Sequence, residues 1–374
     1  MARQDIQNSK RLVIKVGSTL LTNNGAGIDS EAIDGWVDQI AALLDQGKQI
    51  VVVSSGAIAE GLVRLGLESR PQSIHMLQSA AAVGQMGLIQ TYESSFRRYA
   101  RQTAQILLDH DDMANRERYL NARGVMQSLM ELAVVPIVNE NDTVVTDEIR
   151  FGDNDRLAAL VANLIDADAL LILTDKDGLY DSNPDINKQA SLIAEALASD
   201  SSLDAIAGQS GGDLGRGGMQ TKLQAARLAA RSGCHTVIAG GRNKNILLRI
   251  VGGESVGTVL LADQAPLAAR KQWLAGQLQV KGTLVLDEGA SKVIRQQGRS
   301  LLAVGITDVK GVFTRGELVS CVDAKGAEVS RGLVNYSAEE TQLIKGRSTE
   351  EIADILGYLE DDELIHRDNM VVLD

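Results

Sequence analysis

The feature that most constrains this chain is an alternation running from Arg11 to about Gly257, in which short apolar runs are separated by longer stretches of helical period. The runs are RLVIKV, QIVVVSS, AQILLD, VVPIVNE, ALLILTD and HTVIAGG. Their apolar residues are consecutive, as in strands covered on both faces. Between them lie segments such as Ser30 to Gln46, where Ile33, Val37, Ile40 and Leu44 recur at three- and four-residue steps and mark a helix with one apolar face. Strands alternating with helices imply an α/β domain with a mainly parallel sheet between helices.

The pattern breaks at about residues 258 to 276, where Pro266 followed by LAARKQWLAG reads as a short helix or linker. Beyond it, turn signals such as Asp-Glu-Gly, Gln-Gln-Gly, Val-Lys-Gly, Thr-Arg-Gly and Ala-Lys-Gly return about every ten residues. Short strands between such turns predict a small β-barrel-like module from about Val280 to Tyr358. The expected division is therefore a domain over 1–260, a linker over 261–279, and a small β-rich domain with its C-terminal tail over 280–374. A length of 374 residues suits two or three domains.

Composition removes several classes of function. Hydrophobic residues at 44% and charged residues at 23% support a buried core and exclude a disordered chain. A formal charge of -12 argues against nucleic acid, because counterion release needs clustered Lys and Arg. No run of about 18 apolar residues is present for a membrane span, and the opening MARQDIQNSKR is too polar for a secretory leader. A cytoplasmic location is expected. Cys234 and Cys321 lack CxxC spacing and read as small buried hydrophobes. His75, His110, His235 and His366 are scattered, so no protein-held metal site is expected.

The chemistry concentrates at the ends of the first-domain strands, where open parallel sheets bind ligands. The first run leads into Lys15-Val16-Gly17-Ser18-Thr19. A lysine within an apolar strand requires an anionic partner, and Gly17 lets backbone approach a ligand. The second run ends in Ser54-Ser55-Gly56-Ala57-Ile58, a small-residue turn whose following helix start suits a carboxylate or phosphate oxygen, or is simply capped. The fourth opens into Asn139-Glu140-Asn141-Asp142, followed by Gly152-Asp153-Asn154-Asp155. This density of acidic and amide groups is either a solvated loop or a site for an ammonium.

The fifth run gives Thr174-Asp175-Lys176-Asp177-Gly178-Leu179-Tyr180. Last comes Gly211-Gly212-Asp213-Leu214-Gly215-Arg216-Gly217-Gly218-Met219-Gln220-Thr221-Lys222, leading into a helix closed by Gly233. Such a loop is a phosphate cradle or a flexible surface segment. The G-x-x-x-x-G-K-[ST] and G-x-G-x-x-G signatures are both missing, so a nucleotide would need another arrangement.

Taken in order, Lys15-x-Gly-Ser-Thr, Ser54-Ser-Gly-Ala-Ile, Asn139-Glu-Asn-Asp, Gly152-Asp-Asn-Asp, Thr174-Asp-x-x-Gly-Leu-Tyr and Gly217-Gly-Met-x-Thr-Lys222 resemble the motifs of the amino acid kinase family. The resemblance implies an ATP-dependent, magnesium-assisted transfer of the γ-phosphoryl group to the γ-carboxylate of L-glutamate, the first step toward proline. It implies that Lys15, Lys222 and Asp155 are catalytic, that Ser55, Asp142 and Asn154 bind glutamate, and that Lys15, Thr174, Asp175 and the segment Arg216, Gly217, Gly218, Met219, Gln220, Thr221 and Lys222 holds the nucleotide. The family usually carries a small hydroxyl residue where this chain has Arg216, which either adds a phosphate contact or points to solvent. A homo-oligomer and feedback inhibition by proline are also implied.

The C-terminal segment resembles a PUA domain, a β module found in RNA-modifying enzymes and, as a fusion, in bacterial kinases of this kind. RNA binding is the rival function. Between Lys281 and Gly357, ten Lys or Arg face eleven Asp or Glu, which is no basic footprint. Among kinases the rival acceptors are N-acetylglutamate, aspartate, carbamate and nucleoside monophosphates. The cluster from Asn139 to Asp142 favours an acceptor with a free ammonium.

Overall fold

The computed structural model describes residues 2–22, 27–144, 154–184, 186–209, 218–263 and 280–373. The chain divides into two compact units, Met1–Ala114 with Asn121–Pro266, and Asn115–Leu120 with Leu267–Asp374.

The described residues of the first unit form a sheet of eight strands: β1 (Arg11–Val16), β2 (Gln49–Val53), β3 (Thr103–Leu108), β4 (Val135–Glu140), β5 (Ala169–Thr174), β6 (Glu195–Leu197), β7 (His235–Gly240) and β8 (Thr258–Leu261). Their order across the sheet is β3-β4-β2-β1-β5-β7-β8-β6. All neighbours are parallel except β7 and β8. The six apolar runs are six of these strands. The other two, β6 and β8, did not register as runs, and β8 falls where the alternation was expected to end.

Central strands are buried along all but their first residues, and β5 throughout, because helices cover both faces. The helix Ser30–Asp45 starts at Asp29, whose side chain accepts from the Ala32 backbone, and turns Ile33, Val37 and Ile40 onto Ile14, Val52 and Leu171 of the sheet. The helix Ile74–Arg97 adds Leu88, Tyr92 and Phe96 to the same core. It meets the helix Ala57–Arg64 backbone to backbone: a Cβ on Gly61 would lie 1.7 Å from the Ala80 carbonyl oxygen, and one on Gly84 would lie 1.8 Å from that of Ala57. Only glycine permits this approach, which sets the long helix beside the turn that follows β2.

The described part of the second unit holds β9 (Gly282–Leu286), β10 (Ile306–Gly311), β11 (Leu318–Val322), β12 (Glu328–Leu333) and β13 (Met370–Val372), ordered β10-β9-β11-β12-β13. Leu284, Leu286, Ile294, Val319, Phe313 and Tyr336 centre its separate core. Helices Glu288–Gln297, Ala338–Ile344 and Thr349–Leu356 accompany the sheet, so the module is less purely β than its turn spacing suggested. The segment from Pro266 through Trp273 lies outside the described residues.

Candidate functional site

The strand ends bring three residues from distant motifs into one buried cluster. Lys15 sits near the end of β1, paired with Val53 of β2 on one side and Ile172 of β5 on the other. Its Nζ lies 2.5 Å from Asp155 Oδ1. Lys222, in the first turn of the helix Met219–Ala230, places Nζ 3.0 Å from Asp155 Oδ2. Thr221 Oγ1 is 3.1 Å from that same oxygen and 2.8 Å from the Gly218 carbonyl.

Asp155 opens the helix Asp155–Leu164 and is 0% exposed. Burial alone would raise its pKa, but the charges and hydrogen bonds of Lys15 and Lys222 outweigh burial and hold it well below the ordinary carboxylate range. Among the described residues, the one carboxylate of Asp155 stands between the two ammonium groups. Without Asp155 the buried lysine pair would lose the carboxylate that stands between two like charges. Two ammonium groups held in place at the carboxyl edge of the sheet suit an anionic ligand.

A chain of amide groups starts at the residue before Asp155. Asn154 Nδ2 donates to the Ser54 carbonyl and, at 2.7 Å, to Asn139 Oδ1. Asn139 Nδ2 in turn donates to Gln85 Oε1 at 2.6 Å. The Ser54 hydroxyl meets the Tyr92 hydroxyl at 3.2 Å. Burial pushes the Tyr92 pKa up to about 12 against a smaller opposing effect of the Ser54 hydrogen bond, so the phenol stays neutral. Ser55 is buried next to Gly56, whose φ of 94° starts the helix Ala57–Arg64 without a side-chain cap.

Helix starts at Gly17, Gly56, Asn154 and Gly218 all lack a side-chain cap, in contrast to the capped start at Asp29. The first two directly follow β1 and β2 at the carboxyl edge of the sheet. Uncapped N–H groups at such ends suit anionic oxygens. Thr174, at the end of β5, is buried, and its hydroxyl donates to Asp175 Oδ1 at 3.0 Å. Its carbonyl accepts from Gly241, which joins the ends of β5 and β7.

The expected catalytic residues Lys15, Lys222 and Asp155 are therefore together, with Thr221 beside them and Asn154 adjoining. Asp142 lies half-buried on the turn after β4, three positions beyond Asn139. Gly218, Met219 and Gln220 form the start of the Lys222 helix. Arg216, Gly217 and Asp153 lie outside the described residues. Sequence reasoning did not assign Gln85 or Tyr92 to the site, and Ser54 and Asn139 appeared only as parts of motifs. Among the described residues no group of three or more His, Cys, Asp and Glu could hold a metal ion, and no helix is long and apolar enough to cross a membrane.

A profile of the amino acid kinase family matches residues 10–240, and one of the PUA domain matches residues 282–356. The chain is 60% identical to a protein named Glutamate 5-kinase from Stutzerimonas stutzeri, with 99% of this chain and 100% of that protein covered. It is 58% identical to a protein of the same name from Chromohalobacter salexigens, covering 100% of this chain and 98% of that one. Among solved structures, a carbamate kinase from Giardia lamblia bound to AMP-PNP superposes with a TM-score of 0.50 at 17% identity, covering 69% of this chain and 100% of that one, a likeness of fold.

Proposed function

This chain belongs to the amino acid kinase family, and from that premise we propose that it transfers the γ-phosphoryl group of ATP to the γ-carboxylate of L-glutamate, giving L-glutamyl 5-phosphate. The observation that carries the reading is the buried Lys15–Asp155–Lys222 cluster at the carboxyl edge of the sheet. The choice of glutamate is supported by relatives that bear the name Glutamate 5-kinase over essentially the whole chain.

The nucleophile needs no general base, because a γ-carboxylate with a reference pKa of about 4.3 is ionised at neutral pH. The enzyme's task is to bring two anions into line and to neutralise charge on the transferring group. Lys15 and Lys222 supply that neutralisation, and Asp155 positions both ammonium groups in advance, so little reorganisation accompanies the reaction. The open start of the Lys222 helix, with Thr174 and Asp175 beyond it, receives the ATP phosphates and nucleoside. Ser55, Asp142 and Asn154 receive glutamate, with Asp142 facing its ammonium.

ATP brings magnesium on its own phosphate oxygens. With Asp155 committed to two lysines, the described residues offer no dedicated magnesium cage, and a hydrated ion bound mainly through substrate oxygens fits that donor set. Magnesium would add charge neutralisation at the phosphates.

Proline carries the α-ammonium and α-carboxylate of glutamate but no nucleophilic γ-carboxylate, so inhibition that glutamate relieves belongs to the same reading. So does a homo-oligomer, supported by exposed Val63, Val83 and Met86 on the paired glycine-contact helices and checked by light scattering. The reaction is placed in the cytoplasm.

The deciding experiment measures ADP release with glutamate, aspartate, N-acetylglutamate, carbamate and UMP as acceptors, with hydroxylamine trapping of the acyl phosphate. Glutamate should be preferred and should give the hydroxamate. Turnover confined to another acceptor overturns the proposal.

A further inference from the structure

The amide chain beside the cluster has a polarity that the structure fixes at one end. The Ser54 carbonyl can only accept, so the group of Asn154 facing it must be the NH2. That same NH2 meets Asn139, which therefore presents its oxygen there and its NH2 to Gln85. Gln85 must answer with Oε1. Its own NH2 is left over, and the assignment follows from the network rather than from a choice of amide orientation.

Gln85 is 8% exposed, and its Nε2 has no hydrogen-bond partner among the described residues. A buried donor without an acceptor is destabilising, so a site that retains one calls for an acceptor that arrives with a ligand. Its position says which part of the ligand. Lys15 is on β1 and Asn139 on β4, with β2 between them, so Asn139, to which Gln85 is bonded, lies about two strand spacings, roughly 10 Å, from Lys15 across the sheet. A five-carbon substrate whose γ-carboxylate sits at the lysines directs its other carboxylate toward the amide chain.

Resting on the proposed reaction, we infer that Gln85 Nε2 donates to the α-carboxylate of bound glutamate and selects for substrates that carry it. Gln85 acts at the amino-acid end and takes no part in the transfer itself. The backbone contact of Gly61 and Gly84 holds it there.

The informative variant is Gln85→Glu in the full chain, because a carboxylate still accepts from Asn139 while presenting an anion where the NH2 was. KM for glutamate should rise at least about tenfold, with kcat and KM for ATP within about threefold of the parent. Gln85→Leu is the second variant and should shift KM in the same direction, while the inhibition constant of 4-aminobutyrate, which lacks the α-carboxylate, stays unchanged. A folded Gln85→Glu protein with parental KM for glutamate overturns the inference. So does a parallel loss for ATP or 4-aminobutyrate, which would mark a merely structural role. If Gln85→Glu fails to fold, the Gln85→Leu data decide alone. Failure of the parent protein to phosphorylate glutamate would instead refute the proposed reaction, so the two failures are distinct.

Discussion

Replacing Asp155 by Asn removes the charge on which the cluster depends while keeping its shape. In the parent, Lys15 and Lys222 lie 2.5 and 3.0 Å from the two carboxylate oxygens. Two ammonium groups about 5 Å apart at an effective dielectric of about 20 repel by about 3 kcal/mol. Breaking a buried pair by removing one partner costs about 3–5 kcal/mol, in line with that figure. For a unit of this size the loss lowers Tm by about 10 °C, and kcat should fall by about 10²–10³ as the lysines lose their fixed positions.

The pH dependence follows from the direction of the Asp155 shift. A carboxylate whose folded pKa lies below its unfolded value stabilises fully above the unfolded value, about 3.9, and loses that contribution as pH falls through the lower folded value. The stability gap between parent and Asp155→Asn should therefore be flat from about pH 8 to pH 5 and should close only below about pH 4. Calorimetry with and without inorganic phosphate supplies the decisive comparison. Phosphate should raise Tm more in the variant, where the Asp155 charge no longer offsets the two ammonium groups. Equal melting of the two proteins, or an equal response to phosphate, would refute the electrostatic account.

Lys222→Met should lower kcat by about 3 kcal/mol of transition-state stabilisation while barely raising KM for glutamate, and a mutant with near-parental kcat would remove Lys222 from the chemistry. Asp142→Ala should weaken glutamate binding and spare ATP, measured by titration calorimetry of both ligands, since it removes the proposed partner of the α-ammonium. Gly84→Ala places a methyl 1.8 Å from the Ala57 carbonyl oxygen and should destabilise by about 1–3 kcal/mol, with a raised KM for glutamate as the turn after β2 shifts.

Why some of this could be read from the sequence is a matter of local signal. Six strands announced themselves because their apolar residues are consecutive, which in β1, β2, β4, β5 and β7 reflects burial on both faces, whereas β3 at the edge of the sheet is only partly buried. The three residues of β6 are too few for a pattern, and Leu197 is exposed. The four of β8 sit in the one antiparallel pairing of that sheet, beyond the last repeat of strand and helix. In the second unit, Ser337 with Glu340 and Ser348 with Glu351 form capping boxes that start two helices. Those signals were present in the sequence but were outweighed by the frequency of turns. Lys15 stood out because charge inside an apolar strand needs a partner, and the partner proved to be Asp155. The pairing of Asp155 with Lys222 spans 67 positions and exists only once the sheet is assembled. Gln85 gave no local signal, since one glutamine in a helix is ordinary until the chain of amides fixes which way it points.

The two ends of the proposed reaction meet in consecutive residues. Asn154 faces the amides of Asn139 and, through it, Gln85, whereas Asp155 faces the two lysines. Because Asp155 begins a helix whose Leu157, Ala158 and Val161 are buried, the spacing between the amino-acid end and the phosphoryl end is set by one packed helix start. In-line transfer is sensitive to small displacements of the reacting atoms. A substitution in the buried face of that helix, remote from either substrate, should consequently lower kcat by displacing both sets of contacts together. The variants at Gln85 and Lys222 should instead separate KM from kcat.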